Sequence, residues 1–287
     1  MARRYQKFDP RQYMKRTDFE IFYGLDDQPP DVDLHHHDFY EVYLFLKGKI
    51  EYRVEGRIYH LKPGDLLLIS PMELHQLIAK EDGGVYERIV LWVNREFLER
   101  FSDGDFSLTR CFDSTMSAHT NLLQLTSGQR AEVQSRLENL VRESYGKEYG
   151  NELCASGILI QFMVELNRIA LRSSGRQTAR EESSPLVSQV LDYIGEHYDE
   201  DLTLEGLAQR FYVSKYHLSH EFSRVVGTGV YRYIVLKRLL IAKQMLANGI
   251  APGVVYSNCG FHDYANFYRA FKSRYGVGPR NCMGASQ

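Results

Sequence analysis

Near the C-terminal end one short apolar pattern occurs twice, and it restricts the fold more than any other feature of the chain. Leu207-Ala208 and Val213-Ser214 precede the i, i+4 pair Leu218 and Phe222, and Gly227 follows. About 48 residues later, Val255 to Phe261 stands where Leu207 to Val213 stood, Phe267 and Phe271 repeat the pair, and Gly276 repeats Gly227. Apolar residues at this spacing line one face of an α-helix. Thr203 and Ser214 have side chains suited to capping the helices that follow them. Between the copies, Ile234, Leu239, Ala242, Met245 and Leu246 mark one long helix, roughly Val230 to Leu246. Two short helices at a steep angle, the second polar and basic outside, are what insertion into a DNA major groove needs. The pattern therefore predicts two helix-turn-helix units joined by a long helix.

Charge agrees with that reading. The 287 residues carry 35 Lys+Arg and 37 Asp+Glu, a net of −2, but the balance is uneven. From residue 210 onward there are 11 Lys+Arg and 2 Asp+Glu, against 24 and 35 before it. A basic end of this kind points to nucleic acid. The open face of the first unit presents Lys215, Tyr216, Ser219, His220, Ser223 and Arg224. That of the second presents Tyr264, Asn266, Tyr268, Arg269 and Lys272. Lys215, Arg224, Lys237, Arg238 and Lys272 suit phosphate contacts, whereas Tyr216, Ser219, His220, Asn266 and Arg269 suit base edges.

The rest of the chain reads as a separate domain. Residues 173 to 184 are small, polar and charged without apolar period, so they form an expected flexible linker. Ser184-Pro185 then resembles an N-cap followed by a first-turn proline. This gives domains 1–172 and 185–287. Within the first, Glu41 to Leu46, Ile50 to Val54, Ile58 to Leu61, Asp65 to Ile69 and Arg88 to Val93 read as short strands between turn residues. Such spacing favours an antiparallel barrel or sandwich. Residues 129 to 172 switch to helical period, through Val133, Leu137, Leu140 and Val141, then Leu153 to Leu171. These helices can cap the barrel of their own chain or pack on a second subunit. Ile158, Leu159, Ile160, Phe162, Met163 and Val164 surround most of the second helix, which favours a homodimer.

The C-terminal motifs resemble those of the AraC/XylS family of bacterial transcription regulators. The resemblance covers about 100 residues. It rests on Gly260-Phe261-His262-Asp263, Phe267-Tyr268-Arg269-Ala270-Phe271-Lys272 and Tyr275-Gly276-Val277-Gly278-Pro279, with the first copy matching through Leu207-Ala208, Val213-Ser214, Leu218-Ser219 and Phe222. Tyr212 stands where the family has a turn glycine, and Tyr256 where it has a small residue. Asn281-Cys282 replaces an aromatic-basic ending, and Pro252-Gly253 interrupts the start of the second unit. The resemblance implies a double-stranded DNA operator, a small-molecule effector and, for an activator, RNA polymerase as partners.

In the first domain, His35-His36-His37-Asp38-Phe39-Tyr40-Glu41 with Gly48 resembles the first cupin motif. Pro63-Gly64-Asp65 with His75 resembles the second, although Met72 replaces its usual glycine. In a strand, His35, His37, Glu41, Tyr43 and Phe45 share parity and can face the interior. His35, His37, Glu41 and His75 are then candidate ligands of a divalent transition metal, which gives the alternative of a metal-dependent cupin enzyme carrying a DNA-binding domain. The main expectation is an effector pocket lined by some of His37, Glu41, Tyr43, Arg53, His75 and Trp92, which would hydrogen-bond a sugar or other small polar metabolite, without catalysis and with no cofactor.

Other classes are disfavoured. No apolar stretch approaches the ~20 residues of a membrane span, and the basic start MARRYQKFDP lacks the apolar core of a secretory signal. Cys111, Cys154, Cys259 and Cys282 form no CxxC pair and read as small hydrophobes. The expected product is an α+β chain: a cupin-like antiparallel β-barrel, dimerisation helices and an all-α DNA-binding domain, working as a cytoplasmic, ligand-responsive regulator.

Overall fold

Alternation along the strand β1 (Phe19–Asp26) shows how the first unit is layered. Phe19, Ile21 and Tyr23 enter one apolar cluster, while Phe22 and Gly24 face the other way. The computed structural model describes residues 5–6, 11–80, 84–104, 106–113, 120–173 and 181–283. Contacts divide the chain into two units, Met1–Glu182 and Ser183–Gln287.

In the first unit β1 is followed by β2 (Val32–His35), β3 (Tyr40–Lys47), β4 (Ile50–Val54), β5 (Arg57–Tyr59), β6 (Leu66–Ile69), β7 (His75–Ala79) and β8 (Tyr86–Val93). Then come α1 (Arg95–Glu99), β9 (Leu122–Leu123), α2 (Ser127–Ser144), α3 (Asn151–Ser173) and β10 (Glu181–Ser183). The strands make two five-stranded sheets, in the orders β1-β8-β3-β6-β9 and β10-β5-β4-β7-β2. The barrel-or-sandwich expectation thus resolves to a two-sheet sandwich. Strands β1, β2 and β7 were not expected from the sequence.

Two apolar layers follow from strand parity. Val42, Leu44, Leu66, Leu68, Ile89 and Leu91 share a cluster with Val133, Leu137 and Leu140 of α2 and Leu159, Phe162, Met163 and Leu166 of α3. Tyr43, Phe45, Leu67 and Ile69 point oppositely, towards Tyr52, Val54, Tyr59 and Leu77 of the other sheet. Helices α2 and α3 therefore cover their own sheet. Helix α3 corrects one expectation, since residues 151–172 are long and apolar enough for a membrane span, at a mean hydropathy of 1.3. Its buried face explains that composition. Leu153 at 79% and Leu171 at 46% exposure lie outside it.

Of the expected linker, residues 174–180 lie outside the described residues. Its last part differs from expectation, because Glu181–Ser183 forms an edge strand and Glu182 pairs with His60 at 2.7 Å.

The second unit contains α4 (Pro185–Glu196), α5 (Leu204–Arg210), α6 (Lys215–Val226), α7 (Val230–Ala247), α8 (Pro252–Asn258) and α9 (Tyr264–Tyr275). Ser184, Thr203, Ser214 and Asp263 each accept a backbone N–H at a helix start. These caps satisfy donors that have no partner within the helix. Gly227 and Gly276 end α6 and α9 in the same left-handed conformation, at φ 82° and 74°. Pro252 does not interrupt the second unit. It occupies the first turn of α8, where a missing N–H costs nothing.

Candidate functional site

Between the two sheets lies a cavity of about 450 Å³, a size suited to a small ligand. Glu41 and Tyr43 of β3, Tyr86, Arg88 and Trp92 of β8, Phe22 of β1, Tyr52 of β4 and His35 of β2 line it. Arg11, Lys15 and Arg16 of the N-terminal segment complete the wall.

Glu41 is the polar centre of this surface. It is 5% exposed. One carboxylate oxygen accepts from Trp92 Nε1 at 2.8 Å, the other from Tyr52 OH at 3.2 Å. Burial works to raise its pKa, but the hydrogen bond and charge of His37, with Trp92, outweigh it and hold the group below its ordinary value. Burial pushes the Tyr43 and Tyr52 hydroxyls well upward, so both remain protonated donors. Arg88 pairs with Asp26 and lies 4.5 Å over the Tyr86 ring.

The entrance is built by Glu20. It takes an ion pair from Arg11 and the backbone N–H groups of Lys15 and Arg16. Arg11 then lies 5.2 Å over Trp92 and 5.3 Å over Phe22. Sequence reasoning missed Arg11, Glu20 and Phe22. The alternation of β1 was a readable signal for the last two. Nothing local marked Arg11.

Several expected site residues sit elsewhere. Arg53 is not in the cavity: β4 turns Tyr52 and Val54 inward, so Arg53 faces outward and pairs with Glu51 at 2.7 Å. His37 and His75 are buried beside Glu41 rather than on the cavity wall. The shared parity of His35 through Phe45 does not hold throughout, because β2 ends at His35 and β3 begins at Tyr40. His37, Glu41 and His75 still bring donor atoms within 4.8 Å of one another. His35 adjoins them, its ring 4.1 Å from that of His75. Burial holds the His75 pKa well below its ordinary value, so the ring is neutral.

In the second unit, α6 and α9 carry the expected faces. Lys215, Tyr216, His220, Ser223 and Arg224 are exposed and Ser219 is half-buried; Tyr264, Asn266, Arg269 and Lys272 are exposed on α9. Charge on α6 is damped. Lys215 pairs with Glu205, and Arg224 pairs with Glu221 at 2.9 Å. The Arg224 hydrogen bond draws the Glu221 pKa down to about 2. On α9, Asn266 bonds Asp263 and receives a hydrogen bond from Arg269. Arg238 corrects a phosphate assignment. It is 8% exposed and donates to the Tyr198 and Glu200 carbonyls at 2.7 and 2.6 Å, which pins the segment after α4.

A cavity with a buried carboxylate in one unit and two helix-turn-helix faces in the other define a ligand-sensing DNA-binding regulator. Residues 22–163 match the AraC-like ligand binding domain, and residues 207–283 match a helix-turn-helix domain. YbfI of Bacillus subtilis (strain 168), described as an uncharacterized HTH-type transcriptional regulator, is 25% identical over 232 residues, spanning 81% of this chain and 80% of its own. The HTH-type transcriptional activator RhaS of Escherichia fergusonii is 22% identical over 248 residues, spanning 86% and 85%. Among solved structures, unsaturated fatty acid-bound ToxT of Vibrio cholerae covers 93% of this chain and 95% of its own at 13% identity, with a TM-score of 0.40. The chain belongs to the AraC family of transcriptional regulators, with a ligand-binding domain ahead of a helix-turn-helix DNA-binding domain.

Proposed function

We propose that the chain is a cytoplasmic, homodimeric activator whose operator binding is set by a small polar effector, of which a sugar is the first candidate. The cavity around Glu41 carries this reading. A buried carboxylate, several tyrosine hydroxyls and the rings of Trp92 and Phe22 suit a compact polyhydroxylated ring. The name of RhaS, an activator, supports the sign of regulation. RNA polymerase is then a partner, and no catalytic role is assigned to any residue.

On DNA, Lys215, Arg224, Lys237 and Lys272 contact phosphates, while Tyr216, Ser219, His220, Asn266 and Arg269 read base edges, flanked by Ser223 and Tyr264. Subunits pair through the outer face of α2 and α3. An effector regulates only if it binds one arrangement of the protein better than another.

The test begins with selection of DNA fragments by the purified full-length chain. Thermal shift against sugars and small acids follows, since a ligand at 100 times its Kd adds ~2.7 kcal/mol. An effector that both stabilises the chain and changes operator affinity is expected. Failure to select any DNA sequence would refute the reading, and a monomer in sedimentation at micromolar concentration would refute the dimer.

A further inference from the structure

Along the cavity wall made by β1, β8 and β3, the inward side chains follow one another in a fixed order. The register sets Glu20 and Glu41 on either side of Trp92, then Phe22 and Tyr43 on either side of Val90, then Gly24 beside Arg88. One end of the wall is therefore acidic, its middle is apolar and aromatic, and its other end carries a guanidinium. Trp92 and Arg88 stand four residues apart on β8, about 13 Å along the strand.

Gly24 is the member of that series that needs a reason. It lies inside β1 with backbone outside the left-handed region, where glycine only weakens a strand. Space supplies the reason. A Cβ at Gly24 would overlap the guanidinium of Arg88, which crosses β1 here and lies 4.5 Å over the Tyr86 ring. Arg88 is 5% exposed and pairs with Asp26. Gly24 thus leaves the room in which a buried cation is held at the cavity wall.

We propose that Arg88 recognises the effector and that the effector is a sugar acid, a pyranose with one carboxylate at Arg88 and its hydroxyls towards Glu41. This rests on the reading of the cavity as the effector pocket and adds the charge of the ligand. A guanidinium has five N–H donors and can hold Asp26 and a second carboxylate together. Because Asp26 already answers part of its charge, one further negative charge fits, and the nearly double charge of a phosphate does not. Glu41 lies at the opposite end of the wall, its oxygens facing Trp92, Tyr52 and His37. At the mouth, the exposed side chains of Lys15 and Arg16 meet no carboxylate among the described residues. Unmatched cations at a cleft raise the local concentration of anions.

Calorimetry with the full-length chain tests the charge directly. The glucose, galactose and mannose series are each offered as uronate, uronamide, neutral sugar and 6-phosphate. In at least one series the uronate should bind tenfold or more tightly than its amide, which has nearly the same shape without the charge. This comparison needs no variant. Arg88→Met should bring acid and amide within about twofold. Gly24→Ala alters no charge but displaces the guanidinium, and should narrow the preference at least threefold. Arg53→Ala, on the outer face, should leave it unchanged. No uronate binding to the wild type, an amide or neutral sugar that binds as tightly as the acid, a phosphate that binds more tightly, or folded Arg88→Met with the full preference overturns the proposal. Operator affinity on the same preparations keeps this apart from the regulatory reading: a neutral sugar that changes it refutes the charge assignment and leaves that reading standing.

Discussion

Tyr212 and Gly260 occupy the same place in the two helix-turn-helix units, and both have left-handed backbone, at φ 56° and 72°. Each follows the C-cap residue of a short helix, Phe211 or Cys259, and the next residue donates back into that helix, Val213 to Ala208 and Phe261 to Tyr256. Their surroundings differ. Tyr212 is 96% exposed, whereas a Cβ at Gly260 would come within 2.7 Å of the Asp199 carbonyl oxygen.

Opposite mutations therefore have opposite effects at these positions. A non-glycine residue in the left-handed region costs ~1–2 kcal/mol, and glycine loses ~0.4–1 kcal/mol more on folding than alanine does. Tyr212→Gly should stabilise the chain by ~0.5 kcal/mol. Gly260→Ala adds the left-handed cost to a collision with backbone and should destabilise by ~2 kcal/mol or more. Thermal unfolding of both variants checks this, and equal shifts of one sign would contradict it.

Arg238 should behave as a structural residue. Arg238→Met keeps the buried stem and removes two donors from the Tyr198 and Glu200 carbonyls. The expected cost is ~1–3 kcal/mol of stability, with no change in the salt dependence of DNA binding. A salt slope smaller by about 0.9 would return Arg238 to the phosphate contacts.

Glu221 should restrain DNA binding through Arg224. Its pKa of about 2 lies below the ordinary carboxylate value. The pair therefore contributes fully above pH ~4.5 and is lost as pH falls through about 2. Arg224 is 44% exposed, so screening keeps that contribution below ~1 kcal/mol. Between pH 6 and 8 the pair should add no pH dependence to DNA affinity. Glu221→Gln should strengthen binding to all sequences and steepen the salt slope by up to about 0.9, measured by fluorescence anisotropy at several salt concentrations.

Arg269 is the sharpest candidate for sequence reading. If it bridges a guanine edge, Arg269→Ala loses ~1–3 kcal/mol at one base position and leaves the others unchanged. Selection of binding sites by wild type and variant compares the two directly, and identical preferences would exclude the contact.

The helical unit was legible because its signals are local. The pairs Leu218–Phe222 and Phe267–Phe271 are one helical turn apart, and Ser214 caps the helix it precedes. The cavity was legible only in part. Glu41, Tyr43 and Trp92 lie on strands whose composition announces them. Arg11 reaches Trp92 through a long connection with no periodic signal. Arg53 was misplaced because strand parity changes face with each residue, and its neighbour Tyr52 is the one that faces inward.

That parity yields the last prediction. Tyr52 lines the cavity and donates to Glu41 at 3.2 Å, while Arg53 is engaged by Glu51 on the outer face. Tyr52→Phe keeps the ring and its packing but takes a donor from a buried carboxylate, a loss worth ~1–3 kcal/mol. If the effector completes the hydrogen bonding around Glu41, that loss disturbs the bound state, and each 1.4 kcal/mol is tenfold in affinity. The concentration of effector giving half-maximal change in operator binding should rise about tenfold in Tyr52→Phe. It should stay within twofold of wild type in Arg53→Ala, because the Arg53–Glu51 pair lies on the other face of the strand and does not line the cavity. A response lost in Arg53→Ala and retained in Tyr52→Phe would place effector recognition on the outer face of the sheet.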